Sequence, residues 1–483
     1  MQSVPINIVG GTNPARFPKL GREATYNMIV TDAANGSKGL VPYAGYELSK
    51  VIKKDGEARA LYVSPSYGHM IAVIDEGVYA LTVSGEVVRE GNVRKKLISS
   101  SQIGTLATDS GAVEIAENAN KEIAIVDGLF QYLFNYGTNT FSQISPGFKP
   151  ISITYQDSYF QYAVGDTNEF RMSESNDGTQ FPAEYLGAIE TKNANNCIAV
   201  RAHGRQLYVF GSTVTEIWQD LPTINQSLVI NMPYKRDNSV NIDYGCLNKE
   251  TIADGFGFLV WLAVSEEAGP VIVYSEGSNP QPLSTDGIDF MLSNLTDPSD
   301  ASAFLYEQDG HIFYQITFKT DNLTLAYDFK EGIFISPTDE KLNAHPAKKV
   351  VYFEGSHYFL SYEDGSLYEM NSTFDSYDGH AIPRIRRCSP DRLPDYEDFR
   401  VSKVQVVADN GYSENQLAID LSLSKDGSVS FGNNVRRELG PIGRTRQLTR
   451  WYDLGWSRDW TFQFSFYGKS YYAIVDATME IAA

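Results

Sequence analysis

At 483 residues, with 42% apolar residues and a formal net charge of −20, the chain is long enough for one to three globular domains and too apolar for wholesale disorder. Its acidity disfavours tight wrapping around nucleic acid, which draws affinity from neutralised phosphates. No apolar run approaches membrane-spanning length, and the start, Met1-Gln-Ser-Val-Pro-Ile6, lacks the basic and apolar regions of a secretory signal.

Thirty Tyr, 25 Phe and 39 Gly favour strands joined by tight turns, and long amphipathic stretches at helical spacing are hard to find. The best helical candidate, 113–123, reads equally well as a short helix or a loop. The fold class expected is therefore all-β. Cys197, Cys246 and Cys388 are widely spaced and odd in number, so they read as buried free thiols in a reducing compartment and imply synthesis in a cytoplasm.

Residues 1–60 lack a repeating pattern. Asn13-Pro-Ala-Arg-Phe-Pro18 is broken by proline, Tyr26-Asn-Met-Ile-Val30 suits a strand, and Ala34-Asn-Gly-Ser-Lys38 suits a turn. The segment is expected to be an extended arm lying on the rest of the molecule.

From about 61 to 383 an apolar hairpin recurs around Gly, Asp or Ser turns. Its paired runs are 70–74 with 78–81, 123–126 with 129–133, 159–162 with 170–172, and 207–210 with 215–218. The series continues with 258–262 and 271–274, 312–316 and 323–327, and 358–362 and 367–370. From the turn at Gly77 to that at Gly365 the interval averages about 48 residues, close to the roughly 40–50 residue period of propeller blades. One hairpin cannot bury its own faces, whereas four-stranded blades stacked about an axis can. The expectation is an irregular β-propeller of about six or seven blades; two successive β-sandwiches are the competing architecture.

After residue 383 the composition shifts. Residues 384–483 carry 14 Lys and Arg against 13 Asp and Glu, so the first 383 residues hold a net −21. Runs at 401–407, 417–423, 460–466 and 471–475 read as strands, two of them alternating strictly enough for one buried and one wet face. A separate C-terminal β-sandwich-like domain over 384–483 is expected.

Carboxylates cluster at Asp157, Asp166 and Glu169 and at Asp395, Glu397 and Asp398, which raises a glycosidase-type acid pair, but each cluster falls where turns favour Asp. Ser424-Lys-Asp-Gly427, followed by Phe431, is similar to the aspartate box of sialidase propellers, which is a turn and not an active site. The six histidines are scattered, no phosphate-binding glycine motif or calcium loop is present, and no catalytic, cofactor or metal site is expected. The one local departure from acidity is Arg436, Arg437, Arg444, Arg446, Arg450 and Arg458, interleaved with Trp451, Tyr452 and Trp456. Together Arg436, Arg437, Arg444, Arg446, Arg450, Trp451, Trp456 and Arg458 form a candidate interface, set against ordinary strand-surface charge.

With these residues in view the chain resembles the tail-hub proteins of short-tailed bacteriophages, also called packaged DNA stabilisation proteins, tail accessory factors or nozzles. The resemblance is carried by Gly211-Ser212, Thr215-Glu-Ile-Trp218, Tyr244-Gly-Cys246, Trp261-Leu262, Pro280-Gln-Pro-Leu-Ser-Thr285, Gly310-His-Ile-Phe-Tyr314 and Tyr327-Asp328, in that order. A second group comprises Ser424-Lys-Asp-Gly427, Phe431-Gly-Asn433, Leu439-Gly440, Gly443, Arg450-Trp-Tyr-Asp-Leu-Gly455 and Arg458-Asp459; a weaker third is Tyr26-Asn-Met28 with Pro42 and Gly45. The C-terminal turn is one residue short of the family pattern, and Trp456-Ser457 replace a basic pair. The resemblance implies a non-enzymatic virion tail component that forms a homohexameric ring below the portal and its adaptor ring. It further implies contacts with a tail needle or plug and with tailspike or fibre proteins, and genomic DNA passing through the channel without specific binding. A receptor-binding or glycan-processing propeller module is the alternative.

Overall fold

A computed structural model describes residues 2–17, 20–32, 36–88, 94–190, 195–220, 232–409, 417–439, 446–468 and 472–482. Seven antiparallel blades form a propeller. Blade one runs through Ala58–Ser64, His69–Ile74, Gly77–Val88 and Arg94–Thr105, and blade two through Glu114–Glu117, Glu122–Val126, Gln131–Asn135 and Thr140–Ile144. Blade three comprises Pro150–Gln156, Tyr159–Val164, Glu169–Met172 and Leu186–Ala188; blade four comprises Cys197–His203, Gln206–Gly211, Thr215–Asp220 and Tyr234–Arg236. Blade five is built from Gly245–Cys246, Ala253–Gly255, Phe258–Val264, Val271–Ser275 and Gln281–Pro282, and blade six from Ser302–Gln308, His311–Phe318, Leu323–Asp328 and Ile333–Ile335. Blade seven begins with Ala347–Phe353, Ser356–Ser361 and Ser366–Asn371.

Each hairpin expected from the sequence is the second and third strand of one blade. The reason lies in their burial. Along Gln206–Gly211, Leu207 and Val209 enter the core shared with blade three, while Tyr208 and Phe210 enter the core shared with blade five. Successive side chains leave a strand on opposite faces, so a strand packed between two blades must be apolar at every position. Outer strands lack that requirement: Thr140–Ile144 is largely exposed. The segment 113–123, ambiguous between helix and loop, contains the first strand of blade two and the turn after it. Among the described residues the α-helix is Asp286–Ser293, capped by the Thr285 hydroxyl, which accepts from the Ile288 amide.

Two-residue turns join first to second strands in five blades, and in four of them, Asp157-Ser158, Phe256-Gly257, Asp309-Gly310 and Glu354-Gly355, both residues have positive φ. That conformation matches the right-handed twist of the strands it connects, and Asp-Gly meets it with the least strain.

Blade seven is completed from the other end of the chain. Gly45–Val51 pairs antiparallel with Ser366–Asn371, placing Tyr46 opposite Met370. Tyr46 stacks on Tyr377 at 4.4 Å and meets Phe359 edge-on at 5.2 Å. Gly45 has to be glycine, because a Cβ there would lie 2.5 Å from the Phe374 carbonyl oxygen.

The N-terminal segment is built into the rest of the molecule as strands. Two six-stranded sheets form a sandwich from both ends of the chain. One sheet orders Met28–Asp32, Lys38–Pro42, Ala473–Ala482, Phe399–Asp409 and Gln447–Ser457, with Gln2–Pro5 added to Ala473–Ala482. The other orders Asn13–Pro14, Arg22–Tyr26, Arg384–Arg387, Thr461–Tyr467, Ala418–Ser424 and Val435–Glu438. Ile6, Ile8, Met28, Val30 and Leu40 share one core with Val404, Trp451, Trp460 and Phe464. The C-terminal sandwich expected over 384–483 thus takes a substantial part of its core from the first 42 residues.

Two buried polar residues hold this arrangement. Arg386 donates to the carbonyls of Ile8, Gly11 and Asn7 at 2.8–3.0 Å, to Thr25 Oγ1 at 3.1 Å and to Glu23 at 2.5 Å. Asn27, fully buried at φ 53°, donates to Thr338 Oγ1 and the Pro383 carbonyl and accepts from the Thr338 amide and the Tyr377 hydroxyl. It therefore joins the N-terminal segment, the propeller and the chain leading into the sandwich.

Candidate interface and the propeller axis

The strand Gln447–Ser457 is the last in its sheet, and its side chains alternate between core and solvent. Trp451 is 1% exposed, packs near Phe464 and donates its indole N–H to the Val435 carbonyl at 2.8 Å. Its inclusion in the candidate interface is therefore corrected: it points inward between the outward-facing Arg450 and Tyr452, and beyond Asp453, at φ 57°, the register shifts before the exposed Trp456. Tyr452 and Trp456 are 59% and 56% exposed, with Leu448 on the same exposed side.

Arg446, just before this strand, and Arg450, on it, are exposed, and Arg450 Nε donates to Gln405 Oε1 at 2.8 Å. Arg436 is engaged: its guanidinium grips the buried Asp420 carboxylate at 2.9 and 3.1 Å and lies 4.6 Å over the Tyr467 ring. Arg437 is exposed beside it, and Arg458 approaches Asp398 at 3.8 Å. Arg444 lies outside the described residues. The structure thus leaves Leu448, Arg450, Tyr452 and Trp456 exposed on one edge strand of the sandwich, with Leu448 the member that only the strand alternation could have signalled.

The acidic clusters have structural partners. Asp157 accepts from the Tyr234 hydroxyl at 2.8 Å, Asp166 pairs with Lys149 at 2.9 Å, Glu169 faces Arg171 at 3.7 Å, and Asp395 accepts the Glu397 amide at 3.3 Å. Asp426 of the aspartate-box-like segment accepts from the hydroxyl and amide of Ser430, the Ser424 hydroxyl and the Val429 amide, which hold its carboxyl well below the usual range. It closes a turn. His311 is buried in blade six, with Nδ1 2.7 Å from Asp328 Oδ2, and so packs at the strand start while pairing across to the next strand. The three cysteines are free and buried. Among the described residues no group of three His, Cys, Asp or Glu could hold a metal ion, and no helix is long and apolar enough to cross a membrane.

Sequence reasoning missed the propeller axis. The first strands of six blades, with Lys249, Glu250, Ile252 and Asp254 of blade five, surround a cavity of about 520 Å³, into which Glu114, Arg201, Lys249, Glu250, Lys348 and Lys349 project charge. Arg201 donates to both oxygens of Glu114 at 2.8 Å, and Glu114 also accepts the Ser152 hydroxyl at 2.7 Å and the Ile153 amide at 3.0 Å. Burial pushes the Glu114 carboxyl up, but the charge and hydrogen bonds of Arg201 outweigh it and hold it down at about 2. These residues are up to 235 positions apart in the chain, so no local motif announces them.

Seven antiparallel blades beside a two-sheet sandwich define a β-propeller protein. The family model described as "Bacteriophage P22 Gp10, beta-propeller" matches residues 81–375, from within blade one to the end of blade seven. The chain belongs to this family of phage packaged-DNA stabilisation propellers. Among solved structures it is similar to that titled "Structure of U3-55K" at 10% identity and a TM-score of 0.41, covering 68% of this chain and 98% of that one. It is also similar to the RRP9 WD40 repeats at 10% identity and TM-score 0.41, covering 71% and 99%. A third is the extracellular domain of BT4673 from B. thetaiotaomicron, at 10% identity and TM-score 0.41, covering 87% of this chain and 62% of that one. No curated protein matches the chain.

Proposed function

We propose that this protein is a structural component of a short-tailed phage tail, forming the nozzle or hub ring below the portal and adaptor. In this role it extends the DNA channel, retains the packaged genome with a needle or plug, and offers docking sites for tailspikes or fibres. The observation that carries the reading is the family match across the blades. The fold supports it with a propeller and sandwich tied together by buried polar contacts such as those of Arg386 and Asn27.

The assembly is a homohexameric ring whose contacts are head-to-tail, so two different surfaces of each copy meet. The strip formed by Leu448, Arg450, Tyr452 and Trp456, with Arg436, Arg437, Arg446 and Arg458 nearby, supplies one of those surfaces. Residues 1–383, with a net −21, supply the other by charge complementarity. The same acidity would leave a channel wall unable to gain from counterion release, so DNA slides past without adhering.

Cryo-electron microscopy of particles, or of the purified chain added to a portal–adaptor complex, tests the reading. A sixfold ring of this chain below the adaptor is the expected result. Absence of the chain from the tail by particle mass spectrometry would overturn it, and a basic lumen in the assembled ring would overturn the channel argument alone.

A further inference from the structure

We propose that the axial cavity of the propeller is a binding site for a phosphate oxyanion, held by Lys249 and Lys349. The argument starts from which charges in the cavity are already satisfied. Glu114 takes four hydrogen bonds, two of them from Arg201. Glu250 is paired with Lys348 at 2.8 Å. Glu117, at the far end of the same strand as Glu114, accepts from the hydroxyls of Ser64 and Tyr136.

Lys249 and Lys349 are left over. Lys249 donates to the Ile151 carbonyl, and Lys349 donates to the Ala303 carbonyl at 3.3 Å. Among the described residues neither ammonium has a carboxylate within ion-pair distance. Each carries three donors, so a single neutral acceptor leaves most of its capacity open. Two partly buried ammonium groups lining one cavity, with the nearby carboxylates already engaged, are costly unless an anion joins them.

The electrostatics agree with this geometry. Burial pulls both groups below the usual lysine range, Lys349 to about 8. On Lys349 the charges of Arg201 and Lys348 act in the same direction, while Glu114 and Glu250 oppose them. A tetrahedral oxyanion supplies several acceptors and negative charge together, and charge-assisted bonds to lysine are the strong kind. The cavity, about 520 Å³, lies within the roughly 300–1,000 Å³ of small-ligand sites.

The phosphate can be free or carried on a small ester. The experiment is a calorimetric and thermal-shift titration of the full chain at fixed ionic strength, with inorganic phosphate in one arm and adenosine monophosphate in the other, both against chloride. Saturable binding of either phosphate form is expected, and the arm that saturates identifies the source. Lys349→Met and Lys249→Met each should weaken it about tenfold or more, since each removes a charge-assisted contact. Lys349→Met should also melt higher than the parent in chloride, because it removes an uncompensated charge at nearly constant volume. If one variant fails to fold, the other carries the test. Phosphate effects equal to chloride, or phosphate affinity unchanged in a folded variant, would overturn the proposal.

Discussion

Arg201, on the first strand of blade four, reaches past blade three to meet Glu114 on the first strand of blade two in two 2.8 Å hydrogen bonds. Blade three joins through Ser152 and Ile153, so one carboxylate ties three consecutive blades at the axis. Breaking the pair from one side strands a buried charge. Arg201→Met or Glu114→Gln should each destabilise the chain by about 3–5 kcal/mol. The double variant Glu114→Gln with Arg201→Met should lose clearly less than the sum of the two single losses, read by urea unfolding in a double-mutant cycle.

Acid stability follows from the same pair. The folded pKa of Glu114, about 2, lies below its unfolded value of about 4.3, so its contribution is fully present above pH 4.3 and is lost as pH falls toward 2. A melting-temperature series from pH 6 to pH 2 should fall through that window. In Arg201→Met, where burial of Glu114 is no longer outweighed, the part of the fall due to Glu114 should shrink or vanish.

His311 and Asp328 form a second buried pair, in blade six. Burial raises the Asp328 carboxyl against the opposing pull of His311, so ionised Asp328 already costs stability as pH rises above its unfolded value. His311→Leu removes one of its hydrogen-bond partners and should cost about 1–3 kcal/mol near neutrality. The loss should shrink toward pH 4, where the carboxyl can take up a proton, as measured by thermal denaturation at both pH values.

Trp451 and Trp456, five positions apart on one strand, should fail in different ways. Trp451→Ala empties a core site and should destabilise the fold by about 3–5 kcal/mol. Trp456→Ala should leave the melting temperature close to the parent value while weakening ring assembly by more than about 1 kcal/mol, as expected of an aromatic anchor. Chemical denaturation and native mass spectrometry of the assembled ring separate the two effects.

The N-terminal strands can be removed in steps. Deleting residues 1–5 takes away a strand paired only with Ala473–Ala482 and should leave a folded chain. Deleting residues 1–51 removes the outer strand of blade seven and Ile6, Ile8, Met28, Val30 and Leu40 from the sandwich core. It also bares the edge of Ser366–Asn371, a template for pairing with other chains. Size-exclusion chromatography should show aggregation for the longer deletion alone.

Much of the propeller was legible in the chain because its middle strands are apolar on both faces. Leu207 to Phe210 had to be uniformly apolar to feed two cores, and seven such hairpins correspond to seven blades. First and outer strands were harder to see, since Glu114–Glu117 mixes charge with apolar residues and Thr140–Ile144 faces solvent. The interface strip was partly visible as local composition, but composition alone could not separate Trp451 from Trp456. Register does that, because side chains one position apart on a strand leave on opposite faces.

By itself, then, the sequence determined the strand-rich class, the repeated hairpin and the placement of basic charge near the C-terminus, since each is written in neighbouring residues. The tertiary structure alone decided that Gly45–Val51 completes blade seven, that Arg386 pins the first 25 residues to the sandwich, and that Glu114, Arg201, Lys249 and Lys349 face one cavity. Those outcomes are closures of long loops. Their partners lie between about 90 and 380 residues apart, and periodicity, which is a local property, carries no record of which distant segment will satisfy a free edge or a buried charge.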